Sequence, residues 1–125
     1  ATSFSSSESL LKSLHNVHWI VGGLPKKGDK FLLSRNKCKN FKAYIIGENK
    51  VFFINRLKNK MKFEYFSNLN PLVKRVFSDI KNNKNQSHKT ILFSPAAASF
   101  DNFKNFEERG LHFNNLIKKY KNVKR

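Results

Sequence analysis

Residues 89–110 read KTILFSPAAASFDNFKNFEERG, and the succession of residue types in this stretch decides the fold class. Lys89 to Phe93 is a short apolar run of the kind that forms a strand, and Phe103 to Tyr120 carries apolar residues at helical spacing. Between them, Pro95 cannot extend a strand. Ala96, Ala97 and Ala98 let backbone approach a ligand closely, and Ser99 and Asp101 both suit the cap of a helix. The stretch therefore predicts strand, tight turn and helix in that order. The free N–H groups of such a first helical turn attract a carboxylate or a phosphate.

Outward from this unit, the same alternation recurs. Ser5, Ser6 or Ser7 can cap a helix running to about Leu14, with Glu8 in its first turn, and Val17 to Val21 reads as a strand. A short helix is expected over Phe31 to Arg35, a second strand over Phe41 to Ile46, and a helix over Asn49 to Leu57 that ends at the polar run Lys58-Asn59-Lys60. Met61 to Phe66 reads as a third strand. Pro71 stands near the start of the next helix, whose Val73, Val76, Phe77 and Ile80 follow i, i+3, i+4, i+7 spacing up to a solvated loop over Lys81 to Lys89. Strands separated by helices pair in parallel through right-handed crossovers. The expected fold is α/β: a single Rossmann-like three-layer domain, with a mostly parallel sheet of about four strands and helices on both faces.

In open parallel sheets, ligands bind beyond the carboxyl ends of the strands. Two distinctive loops fall there, Gly22 to Asp29 after the first strand and Ser94 to Asp101 after the fourth, so both should lie on one edge of the sheet. Gly22 and Gly23 permit backbone geometry that a side chain would block, and Pro25 stiffens the loop that presents Lys26. Lys26 offers a point charge to a carboxylate, while Ser99 and the adjoining helix start offer neutral donors.

Those residues also carry a family resemblance. Ser94-Pro95-Ala96-x-Ala98-Ser99-Phe100-Asp101-x-Phe103-Lys104-x-Phe106-Glu107-x-Arg109-Gly110 resembles the last motif of the Mur ligases, in the branch that adds D-glutamate. Ala1-Thr2-Ser3 is similar to the family's Ala-Thr-Asn, and WIVGGLPKKGDKF at Trp19 to Phe31 is similar to its strand followed by Gly-Gly-x-x-Lys. Two positions depart from the pattern: Ser3 stands where the family usually has Asn, and Ala97 where it often has Cys. The resemblance reaches from Ala1 to about Tyr120.

The resemblance implies that residues 1–125 are the C-terminal, amino-acid-binding domain of such a ligase, which binds and orients D-glutamate for addition to UDP-N-acetylmuramoyl-L-alanine. It assigns Thr2 and Lys26 to one carboxylate of D-glutamate, and Ser99 with the backbone near Phe106 to the other. Gly22, Gly23 and Phe100 belong to the supporting loops. It further implies a bacterial, cytoplasmic setting in peptidoglycan and cell-wall biogenesis, and through that in cell shape, the cell cycle and division. Family members hold an N-terminal UDP-substrate domain and a central ATP-binding domain, and use ATP and Mg²⁺ in the whole enzyme. No G-x-x-x-x-G-K-[ST] occurs in this sequence. The expectation is a truncated domain, without the family's first two strands of this domain and without the other two domains, which the same gene or a companion chain would supply. No catalytic residue and no cofactor are assigned to it, and alone it should turn over no substrate.

Composition by itself points elsewhere. A formal net charge of +17, a pI near 10.3 and 14% aromatic residues are the profile of a nucleic-acid-binding module. The charge is mostly lysine, is spread from Lys12 to Arg125, and travels with abundant Asn, Phe and Ile, residues favoured by codons made of A and T. A genomic nucleotide bias explains it without a partner, although such a surface binds polyanions weakly and non-specifically. The alternatives to a ligase domain are thus a basic anion- or nucleic-acid-binding module and a nonfunctional ligase remnant.

The remaining residues carry less. Phe52, Phe53, Phe63, Phe66 and Phe77 sit in apolar-patterned elements and read as core. Lys27 and Lys30 flank Lys26 and read as solvated loop lysines. Glu107 and Glu108 are helix neighbours that do not face each other, and Arg109 reads as the partner of a nearby acid. Cys38 is a single thiol between Lys37 and Lys39, cations that would lower its pKa, in a loop with no base nearby in sequence. His15, His18, His88 and His112 are scattered, so no metal site is expected. Apolar runs are too short to cross a bilayer, and the first residues lack the pattern of a signal peptide.

Overall fold

A computed structural model describes residues 4–23, 25, 28–82 and 89–93. Seven elements follow in order: α1 (Phe4–Leu11), β1 (Val17–Gly22), β2 (Phe41–Ile46), α2 (Lys50–Leu57), β3 (Lys62–Phe66), α3 (Leu69–Asn82) and β4 (Thr90–Phe93). The four strands form one sheet in the order β3-β2-β1-β4, and every pair is parallel. The α/β class and the parallel sheet read from the sequence are those observed.

Alternation along the central strands explains why both faces are covered. Val17, Trp19 and Val21 of β1 and Phe41, Ala43 and Ile45 of β2 point to one face, where they bury Phe4 and Leu11 of α1 with Phe53 and Leu57 of α2. Ile20 of β1 with Tyr44 and Ile46 of β2 point to the other, against Leu69, Leu72, Val73 and Val76 of α3. Strands buried on both faces are the mark of a covered parallel sheet. In β1 all six residues are buried.

The layers also agree with the crossover rule. From β1 to β2 to β3 the chain steps outward in one direction, and both connections pack on the α1/α2 face, the first through Phe31, Leu33 and Cys38. From β3 it returns past β2 and β1 to β4 with α3 on the opposite face. Right-handed crossovers demand this change of face whenever the direction reverses. No helix among the described residues is long and apolar enough to cross a membrane.

Three local expectations are corrected. Residues 31–35 are not helical: Phe31 and Leu33 are buried while Leu32 is 76% exposed, an alternation that a helix cannot produce. The Leu32 N–H is taken by the Glu8 carboxylate at 3.2 Å and the Leu33 carbonyl by Lys60 Nζ at 2.8 Å, so long-range partners replace the helical ladder. Helix α1 starts at Phe4 and ends at Leu11, which puts Glu8 beyond the first turn. Phe63 is 37% exposed rather than core, because β3 is the outer strand and its burial is shallow throughout.

Candidate functional site

The strand order places the carboxyl ends of β1 and β4 side by side. Val17 to Ile20 pair in register with Thr90 to Phe93, so the chain leaves both strands on the same rim. Strand order reverses between these two neighbours, the position where open α/β sheets leave a crevice for ligands. Of the residues assigned from the sequence, Gly22 and Gly23 lie on this rim. Thr2, Lys26, Ser99, Phe100 and Phe106 lie outside the described residues, as does the helix expected over Phe103 to Tyr120.

The two glycines have different reasons to be there. A Cβ on Gly22 would collide with the carbonyl oxygen of Ile46 on β2 and crowd Ile46 Cγ2 at 3.1 Å. Gly23 has φ 100°, a left-handed value that side chains disfavour, and it turns the chain out of the sheet. Gly47, which leaves β2 on the same rim, has φ 105°. Asn49 then spans the two turns. It occupies the N-cap position of α2 without capping it, and its Nδ2 donates instead to the Gly23 carbonyl at 3.1 Å.

The far end of the β1 loop is also tied down. Gly28, with φ 80°, leads into Asp29, whose Oδ2 accepts the Phe4 N–H at 2.7 Å. That N–H is one of the first donors of α1, which the helix itself cannot satisfy, and the carboxylate also meets the positive end of the helix dipole. Sequence reading assigned this cap to the neighbouring serines; the observed acceptor comes from 25 residues away. Arg56 Nε donates to the Asp29 carbonyl at 2.9 Å while its guanidinium lies over the Phe52 ring.

A second cluster, not anticipated from the sequence, lies at the opposite edge. His18 Nδ1 is 2.8 Å from the Tyr44 hydroxyl, which donates to Asp79 Oδ2 at 2.7 Å. Since the phenolic proton is committed to the carboxylate, His18 Nδ1 carries the hydrogen that it donates to the tyrosine oxygen. Lys42 Nζ bonds Asp79 at 2.6 Å and Glu64 at 3.2 Å, and Arg75 stands 3.6 Å from Glu64. A cleft of about 420 Å³ opens beside it, lined in part by His18, Lys42, Lys62 and Asp79. Only the i, i+2 spacing of Lys42 and Tyr44, which puts both on one face of β2, hinted at this cluster.

These contacts set its acid–base behaviour. Burial pushes the His18 imidazole below its ordinary value of 6.5, with Lys42 and Lys89 adding to the fall and Asp79 opposing it. Burial alone would raise Asp79, but hydrogen bonds from Lys42 and Tyr44 outweigh it and hold the carboxyl below 3.8. Burial, with the bond to Asp79, drives the Tyr44 phenol far above 10.0. The unfolded chain therefore binds the His18 proton first as pH falls. Stability should be lost below about pH 6.5, further as the pH falls below 3.8 toward the depressed Asp79 value, and again above pH 10 as an unfolded tyrosine ionises. Urea midpoints taken from about pH 2 to 11 check this. In His18→Gln the loss near neutrality should disappear; an unchanged profile would refute the assignment to His18.

Several cations for which sequence reading named no partner hold backbone carbonyls. Lys37 Nζ donates to the Leu14 carbonyl at 3.1 Å, and Lys60 and Arg56 serve carbonyls of the β1–β2 connection. Cys38 is fully buried, and burial raises its pKa despite Lys60 and Lys37, so the lowering expected from its lysine neighbours is not found.

With this geometry in place, the comparisons with known proteins become specific. Over 113 residues, 90% of its length, the chain is 42% identical to the UDP-N-acetylmuramoylalanine–D-glutamate ligase of Wolbachia pipientis wMel. It is 36% identical over 120 residues, 96% of its length, to the protein of the same name from Rickettsia felis. Over nearly its whole length the chain is similar to part of the UDP-N-acetylmuramoylalanine–D-glutamate ligases. A relative from Prochlorococcus marinus, 37% identical, matches 99% of it. The chain spans 22%, 26% and 27% of the lengths of these three ligases, about a quarter of each. No family model matches it.

Proposed function

We propose that this chain is the part of a D-glutamate-adding ligase that binds D-glutamate and presents its amine to the activated carboxyl group of UDP-N-acetylmuramoyl-L-alanine. The supporting observation is the parallel, in-register pairing of β1 with β4, which sends the chain out of both strands at one rim. Thr2 and Lys26 would take one carboxylate of the ligand, and Ser99 with the backbone near Phe106 the other. Charge-assisted hydrogen bonds of this type contribute about 1.5–3 kcal/mol each, enough in sum for weak binding after the cost of ordering the ligand. The chain's contribution to the reaction is orientation of a nucleophile.

ATP and Mg²⁺ belong to the whole enzyme in this reading. The chain has no Walker-type phosphate loop, and among the described residues no cluster of three or more His, Cys, Asp or Glu could hold a metal ion. No chemical step through either is assigned to its residues.

Titration of the ¹⁵N-labelled chain with D-glutamate and with L-glutamate tests the proposal. Amide shifts of residues 22–29 and 94–106 should follow the D enantiomer, with at least about tenfold weaker response to L. Equal responses, or shifts confined to exposed lysines, would reject it. A salt-dependent response to a generic oligonucleotide that exceeds the response to D-glutamate would favour the basic-module reading instead.

A further inference from the structure

The fold gathers lysines that the sequence scatters. His18 of β1 pairs in register with Lys42 of β2, and Lys42 with Lys62 of β3, so the three residues stand side by side across adjacent strands. Register partners in a parallel sheet share a face, and neighbouring strands lie about 4.8 Å apart. His18 and Lys42 stand two residues before Ile20 and Tyr44, and so share with them the face that α3 covers. Each member of the row sits at the first or second position of its strand. Lys39, from the turn before β2, and Lys89, just ahead of β4, complete the basic lining.

These residues border the cleft of about 420 Å³ at the amino edge of the sheet, opposite the rim where β1 and β4 end. Its volume falls within the roughly 300–1,000 Å³ of small-molecule sites. Four lysines, Lys39, Lys42, Lys62 and Lys89, meet one carboxylate in the lining, Asp79. Asp79 is already engaged by Lys42 at 2.6 Å and by the Tyr44 hydroxyl at 2.7 Å. Lys39 and Lys62 are exposed, and neither forms an ion pair among the described residues. The lining therefore keeps an excess of positive charge.

We propose that this cleft binds a small, multiply charged anion of the phosphate class, held chiefly by Lys39 and Lys62 against the cross-strand row of His18 and Lys42. The site is separate from the glutamate pocket proposed above and does not rest on it. Ammonium groups on flexible stems hold phosphate oxygens as point charges. A recess confined to one edge of the sheet suits a small anion better than a nucleic-acid strand, which needs a groove that tracks its backbone. A bound anion also acts on His18. Burial, Lys42 and Lys89 hold that imidazole low against the pull of Asp79, and Nδ1 already serves Tyr44. Negative charge beside the ring favours its protonated form, with the second proton on Nε2.

The isotopically labelled chain should be titrated with pyrophosphate at fixed ionic strength, beside Lys39→Gln/Lys62→Gln and a charge-matched control, Lys30→Gln/Lys74→Gln, whose exposed lysines lie outside the cleft. Saturable amide shifts are expected at the starts of β1, β2 and β3, and the His18 ring should titrate at higher pH with pyrophosphate present. The cleft variant should bind at least about tenfold more weakly, and the control within about threefold of the unsubstituted chain. Inorganic phosphate and a nucleoside diphosphate, titrated in parallel, identify the bearer of the group; saturable cleft shifts from either uphold the site. Equal weakening in both variants, or a His18 titration that pyrophosphate does not move, would overturn it as diffuse attraction to a basic surface. Tighter binding of a short oligonucleotide, with shifts that run beyond the cleft, would overturn the small-anion assignment in favour of a nucleic-acid surface. Shifts of residues 22–29 with D-glutamate report the other pocket, so either site can fail alone.

Discussion

Gly22→Ala is expected to cost about 3 kcal/mol of folding stability, the upper end of the usual penalty for overpacking a core. The added methyl group meets the Ile46 carbonyl oxygen at less than contact distance, with the Ile46 carbonyl carbon and Cγ2 both 3.1 Å away. Two of those three atoms are backbone, so no change of rotamer relieves the clash. Strands β1 and β2 must part at the end of a six-residue register that forms the middle of the sheet. Parting them also strains the Asn49 bond to Gly23 on the adjoining turn. A loss of this size is a large share of the roughly 5–15 kcal/mol that holds a small domain together. Urea unfolding measures it directly, and a change under about 0.5 kcal/mol would show that the strands do not approach as closely as described.

Trp19→Ala should be equally severe, at about 3–5 kcal/mol, whereas Trp19→Phe should cost less than about 1.5 kcal/mol. Trp19 is fully buried on the α1/α2 face, 6.2 Å from the Phe4 ring and 5.7 Å from Phe31, so removing it opens the largest cavity that any single truncation among the fully buried side chains could make. Its indole N–H is the one buried side-chain polar atom without a hydrogen-bond partner among the described residues. Burying an unmet donor costs about 1–3 kcal/mol, so phenylalanine sheds a penalty while giving up part of the packing. The two terms nearly offset. Should Trp19→Phe prove as damaging as Trp19→Ala in the same urea assay, the N–H must have an acceptor, and the offset argument is void.

Periodicity and punctuation made the sheet legible. Val17–Val21 and Phe41–Ile46 are short, mostly apolar runs, interrupted only by His18 and Lys42 and bounded by polar or glycine residues, and they became β1 and β2 almost to the residue. Residues 31–35 misled because FLLSR has helical composition, while its conformation is set by Glu8 and Lys60, partners that local spacing does not reveal. The same limit applies at the rim. Glycines 22 and 23 were readable as backbone necessities, but the cap on Phe4 was given to adjacent serines, since nothing local marks Asp29 as its acceptor. The His18–Tyr44–Asp79 cluster was barely legible for the same reason: its members come from β1, β2 and α3 and meet only through the fold.

Among the described residues, the acidic side chains of Glu8, Asp29, Glu64 and Asp79 are engaged in bonds within the fold. What faces outward is correspondingly one-sided in sign. Strand β3 has no neighbour on its outer side among the described residues and begins with an exposed lysine. An open strand edge of that kind invites another molecule to add to the sheet. Here like charge on every approaching copy opposes such stacking, an opposition that weakens as ionic strength rises.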